Sequence, residues 1–233
     1  MFVAENLARI IENMNYAIAK ANGKNRNQSE YVKLVAVTKN HNVPAIEEAI
    51  AAGVSSIGEN RIQEALDKSL SLTGKVEWQL IGHLQTNKVR QAVSLFDMIQ
   101  SVDSERLAVE INRAASKINK RQDVLLQVNV ANEDTKFGIS AKEVMPLARL
   151  ITNLENVRLC GLMTVAPFYE NTELTRPVFK EMYQLFMELK AGNLENSNIA
   201  WLSMGMTNDY VVAIEEGSNL VRIGTGLFGQ RQY

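Results

Sequence analysis

Short apolar runs alternate with helically periodic segments along almost the whole chain. A leading amphipathic segment sets Leu7, Ile10, Ile11, Met14 and Ile18 on one face. After it the spacing predicts strands over 33–39, 55–58, 77–82, 98–102, 123–130, 158–165, 199–204 and 220–224. Helical spacing occupies 44–52, 61–72, 86–94, 104–119, 141–153, 174–191 and 208–216. Pro44 suits a first helical turn, with Gly53 just past its end. Ser140, with Glu143 three residues on, reads as a capping box. Strands alternating with helices mean crossover connections and a parallel sheet. Eight repeats in roughly 200 residues predict a single α/β (β/α)8 TIM barrel with an extra N-terminal helix. An open doubly wound sheet is the alternative. No linker or shift in composition divides the chain, so residues 1–233 read as one domain.

A barrel collects its functional groups at the C-terminal ends of its strands. Six of the eight predicted ends carry unusual polar residues. Lys39 closes the first run, and Gly58-Glu59-Asn60-Arg61 follows the second. The third leads into Gly82-His83-Leu84-Gln85-Thr86-Asn87-Lys88, and the sixth ends in Gly161-Leu162-Met163-Thr164. Ser203-Met204-Gly205-Met206-Thr207 ends the seventh, and Arg222-Ile223-Gly224-Thr225-Gly226 the eighth.

An ammonium at the mouth of a buried strand is costly. Burial lowers a lysine's pKa and frees the neutral amine as a nucleophile, which an aldehyde cofactor needs to form a Schiff base. The structural alternative is a lysine that snorkels to water. The turns at Gly205 and at Gly224-Thr225-Gly226 let the backbone approach an anion, where barrels often bind phosphate. Ser203, Thr207 and Thr225 add hydroxyl donors. Arg222 shares the alternating face of Leu220 and Gly224, and an inward guanidinium needs a partner. Pyridoxal 5′-phosphate (PLP) complements all three features. Its aldehyde suits Lys39, its phosphate the last two loops, and its ring nitrogen Arg222. The alternative has Arg222 facing outward, paired with a carboxylate such as Glu216. An arginine at the ring nitrogen donates a hydrogen bond and leaves that nitrogen unprotonated, a weaker electron sink. Transamination is then disfavoured, while racemisation or simple holding remains compatible.

Composition narrows the partners. The 233 residues are 46% hydrophobic and 22% charged, with a formal net charge of −1, which argues against nucleic acid. No run is long enough to span a membrane, and the N-terminus lacks the apolar core of a signal peptide. The lone Cys160 excludes an internal disulfide and fits a reducing compartment, so a cytoplasmic location is expected.

Beyond these features, the chain resembles the YggS/PROSC family of PLP-binding proteins, the PLP homeostasis proteins. These look like the N-terminal barrel domain of alanine racemase. The resemblance rests on VAVTK at 35–39, GENRIQEA at 58–65, IGHLQTNK at 81–88 and KFGI at 136–139. It also rests on GLMTVAP at 161–167, LSMGMTNDY at 202–210 and VRIGTGLFG at 221–229. It implies that Lys39 forms the Schiff base and that Asn60 and Met163 line the ring pocket. Ser203, Gly205, Thr207, Gly224 and Thr225 would surround the phosphate, with Arg222 at the ring nitrogen. His83 and Asn87 would lie near the mouth. Two departures stand out. Family members usually carry histidine after the strand-three tryptophan, whereas Gln79 follows Trp78. Thr207-Asn208-Asp209 stands where many show serine before the aspartate.

Two functions follow. The chain holds PLP and takes part in its homeostasis, with apo PLP-dependent enzymes as partners, or it is a PLP-dependent amino-acid racemase. Racemisation wants proton donors on both faces of the α-carbon. Alanine racemases supply the second as a tyrosine from a separate β-domain, for which a chain ending at Tyr233 leaves no room. Tyr169, Tyr210 and Tyr233 are the substitutes, and the carrier reading is the expected one. A metal-dependent hydrolase is a third possibility, short of ligands with only His41, His83 and Cys160. Lys136 reads as a solvated loop lysine or a secondary aldehyde site. A monomer is expected, with the first helix covering the barrel's side.

Overall fold

The computed structural model describes residues 2–22, 31–131, 133 and 136–229. Tyr233 lies outside them. The strands are β1 (Lys33–Val37), β2 (Ser56–Glu59), β3 (Glu77–Leu80), β4 (Met98–Val102), β5 (Gln122–Gln127), β6 (Val157–Met163), β7 (Ser197–Met206) and β8 (Leu220–Ile223). Each pairs in parallel with the next, and β8 returns to β1, so the eight strands close into a barrel. The open-sheet alternative is thereby excluded.

The helices are α1 (Phe2–Asn22), α2 (Val43–Ala51), α3 (Ile62–Ser69), α4 (Val89–Leu95), α5 (Glu105–Ser116), α6 (Val144–Thr152), α7 (Arg176–Ala191), α8 (Tyr210–Glu215) and α9 (Thr225–Phe228). Their ends follow the expected chemistry. Asn42 caps α2 by accepting from the Ala45 N–H at 3.1 Å, with Pro44 in the first turn. The capping box forms, Ser140 N–H and Oγ both donating to Glu143 Oε2 at 2.8 and 2.7 Å. It opens a single 3-10 turn, Ala141–Glu143, that feeds α6.

Outward strand residues such as Ile99, Val124, Leu126 and Leu202 pack with Phe96, Ile111, Ile151 and Phe179 into the main apolar layer. A second layer joins Ala36, Ile57 and Val221 to Ile46 of α2 and to α1. On α1 the buried stripe is Val3, Leu7, Ile10, Met14, Ala17 and Ala21. Ile11, expected on that face, is 44% exposed because a single-residue step rotates it off the stripe. Asn6 Nδ2 donates to Leu227 O at 2.9 Å and Asn13 Nδ2 to Tyr210 Oη at 3.1 Å, so α1 fastens α8 and α9. Among the described residues no helix is long and apolar enough to cross a membrane.

Strand limits differ from expectation at several functional ends, with β3 and β6 each stopping two residues early, at Leu80 and Met163. β1 stops at Val37, and the left-handed Asn40 (φ 63°) turns the chain immediately after Lys39. β7 runs on to Met206, two residues further than its apolar pattern.

Candidate functional site

A cavity of about 240 Å³ opens at the C-terminal mouth between β1, β7 and β8. Lys39, Thr207, Arg222, Gly224 and Thr225 all line it, five of the residues singled out from the sequence. Lys39 is half-buried in the turn beyond β1, rather than fully enclosed at a strand terminus. Arg222 projects inward from β8 and is 3% exposed, which removes the outward alternative. Its Nη1 donates to Ser203 Oγ and its Nη2 to Thr164 O at 2.7 Å. Burial pushes the guanidinium pKa down to about 10, the Asp209 charge opposing, so it stays charged at neutral pH. Across the mouth, Thr207 Oγ1 accepts from the Gly226 N–H at 3.2 Å and from Thr225 Oγ1 at 3.3 Å, drawing the β7 and β8 loops together.

Four expected contacts are not among the residues lining this cavity. Ser203 is fully buried, and its hydroxyl donates to Gln100 Oε1 at 2.6 Å while accepting from Arg222. It orients the arginine instead of facing an anion. Met163 pairs in register with Ser203 and packs with Met98, Leu125 and Cys160 inside the barrel. Gly205 (φ 93°) lies against α8, where a Cβ would come 2.6 Å from Ala213 Cβ. Its glycine is required by packing. Asn60 lines a separate depression with Arg61, His83, Gln85 and Lys88.

The remaining candidates also find places. His83 stacks on Phe137 with ring centroids 3.8 Å apart, and its Nδ1 lies 3.6 Å from Asp103 Oδ2. Lys136 pairs with Glu133 at 2.8 Å, the contact of a loop lysine. Tyr210 is buried against α1, whereas Tyr169 lines the cavity. Among the described residues no three His, Cys, Asp or Glu side chains gather as metal ligands.

Phe168, not singled out from the sequence, also lines the cavity, as do His41, named there only as a metal ligand, and Asp209, named there only beside Thr207. His41 stacks on Phe228 at 4.4 Å. Asp209 accepts from the Met206 N–H at 2.7 Å, and burial pushes its carboxyl pKa up. The signal for Asp209 lies in the LSMGMTNDY segment, two residues beyond the Thr207 hydroxyl.

The donor set is one amine, one buried guanidinium and two hydroxyls beside a glycine turn. These residues fit an aldehyde bearing a phosphate and a ring acceptor, because each polar end of such a molecule meets a complementary group.

Comparison with known proteins places the whole chain in a family. The family described as alanine racemase, N-terminal domain, matches residues 6–232. The pyridoxal phosphate homeostasis protein of Aquifex aeolicus (strain VF5) is 41% identical over 234 residues, covering 100% of both chains. The chain belongs to the pyridoxal phosphate homeostasis family. Its relative of that name in Escherichia coli (strain K12) is 36% identical over 237 residues, covering 99% of this chain and 97% of the other. PipY of Synechococcus elongatus PCC7942, solved with PLP bound, is 34% identical with a TM-score of 0.84. That match covers 97% of this chain and 100% of PipY. Alanine racemase of Clostridium difficile 630 is 17% identical with a TM-score of 0.69, sharing the fold over 58% of its own length.

Proposed function

We propose that this member of the homeostasis family binds PLP in the cavity at Lys39 and serves as a cytoplasmic, monomeric holder of it for apo PLP-dependent enzymes. The amine of Lys39 condenses with the aldehyde, releasing one water. The observation that carries this reading is the convergence of Lys39, Arg222, Thr207, Gly224 and Thr225 on one cavity. When bound, PLP supplies an electrophilic carbonyl and an electron-accepting ring. Arg222 directs a charged donor at the ring nitrogen and keeps that nitrogen free of a proton. Thr207 and Thr225 offer hydroxyls to the phosphate, and the Gly224 turn lets the backbone approach it.

The decisive measurement is the visible spectrum after PLP addition, for the parent and Lys39→Ala, followed by borohydride reduction and peptide mapping. A reducible band fixed on Lys39 in the parent and missing in the variant is expected. An equal adduct in the variant would overturn the assignment.

One observation favours the racemase reading. Tyr169 lines the cavity together with Lys39, so a second proton carrier is within the site. Exchange of the alanine α-proton in deuterated water, catalysed by the loaded protein and lost in Tyr169→Phe, would establish it.

A further inference from the structure

The peptide groups on either side of Lys39 are held by one cluster, buried at Lys68 and Glu59 and exposed at Asn40. Lys68 Nζ donates to Thr38 O at 2.7 Å, to Glu59 Oε1 at 2.6 Å and to Glu64 Oε1 at 2.7 Å. The same Glu64 oxygen accepts the Asn40 N–H. Thr38 Oγ1 donates to Glu59 Oε1 at 2.6 Å, and the Thr38 N–H pairs with Gly58 O at 3.0 Å. Residue 38 is therefore anchored through its carbonyl and residue 40 through its amide, with Lys39 suspended between them.

We infer that Glu64 and Lys68 are positioning residues for Lys39, an inference that rests on Lys39 being the residue that holds PLP. The chemistry of the cluster supports a purpose beyond joining α3 to the barrel. Lys68 has a side chain only 9% exposed, and Glu59 is fully enclosed. Burying such charges is expensive unless each finds good partners, and an apolar trio would join helix to strand as well. What an apolar trio lacks is an acceptor for the Asn40 amide and a charged donor for the Thr38 carbonyl, which otherwise keeps only the His41 N–H at 3.0 Å. Burial opposes ionisation of Glu64, but the bonds from Lys68 and Asn40 more than offset it and hold its pKa below the usual carboxylate range. Asn40 itself occupies the left-handed region, which asparagine adopts more readily than other non-glycine residues. The Glu64 bond fixes the amide of that turn, at the residue next to Lys39. The GENRIQEA segment and the lysine three residues beyond it are thus accounted for together.

The test compares the full-length parent with Glu64→Ala, Glu64→Gln, Lys68→Met and Lys39→Ala. PLP itself is the probe, read by titration of the visible band, by the fraction reduced onto Lys39, and by thermal melting. All titrations run well below each variant's own melting midpoint. Glu64→Ala should bind PLP about tenfold more weakly, the scale of one lost charged hydrogen bond. Glu64→Gln, which retains an acceptor for both donors, should recover most of that loss. Lys68→Met reaches the same turn from its other side and should show the same weakening. A Lys39 adduct in the parent with unchanged affinity in both Glu64→Ala and Lys68→Met would overturn the inference and leave the PLP reading intact. Equal weakening in Glu64→Ala and Glu64→Gln would overturn it too, since it would trace the effect to charge alone. A parent without a Lys39 adduct would overturn the PLP reading itself.

Discussion

A methyl group at Gly205 would meet Ala213 Cβ at 2.6 Å and Tyr210 Cα at 2.9 Å, on a backbone whose φ of 93° already excludes most side chains. Gly205→Ala should therefore cost about 3 kcal/mol, read as a lower urea midpoint, because overpacking and strain add. Cys160 makes the opposite kind of forecast. It is 2% exposed, and burial pushes its thiol pKa up to about 12. Since the thiolate is the reactive form, a thiol reagent at pH 8 should modify the folded protein at least about a hundredfold more slowly than the unfolded chain. At this scale the sequence was legible in face and blind to depth. Alternation put Arg222 on one face with Leu220 and Gly224 and left its direction open, and that face points inward. Yet it could not say that Ser203 and Met163 sit below the cavity rather than in it. One two-residue step moves a side chain roughly 6.6 Å along its strand without changing its face.

Among the elements, α1 has the widest consequences. It grips α8 and α9, the helices that follow the two loops proposed above to hold the phosphate. Leu7→Ala should cost about 3 kcal/mol with an unchanged denaturant slope. An ion network reinforces the same region, with Lys20 of α1 at 2.6 Å and Arg176 of α7 at 2.9 Å from the Glu215 carboxylate of α8. Burial raises the Glu215 pKa, but these hydrogen bonds win, and it lies below the usual carboxylate range. A depressed carboxylate stabilises the fold above its unfolded pKa and loses that contribution as the pH falls through its folded value. Glu215→Gln should thus be about 1 kcal/mol less stable than the parent at pH 7, the gap closing toward pH 3 in paired urea titrations. The barrel repeat was readable because strand and helix periods differ so clearly. Its functional ends were less so, since β1 stops at Val37 where the apolar run gives way to Thr38-Lys39-Asn40, although the Thr38 N–H still pairs with Gly58 O. The short α9 carries too few residues for a period to register.

For the whole molecule, a ligand that binds only the folded chain raises its stability by mass action. PLP at about a hundred times its dissociation constant should add about 2.7 kcal/mol and lift the melting midpoint by a few degrees. Lys39→Ala should show most of that gain missing in the same scanning experiment. The closed ring has another consequence. Every described strand already has a neighbour on each side, so the sheet offers no free edge to which a further strand could be added. Any macromolecule that comes to collect or deliver a small molecule here must address loops and helix ends around the mouth. Handing over cargo then asks nothing of the barrel's hydrogen bonds, and the framework can stay shut while its rim does the trading.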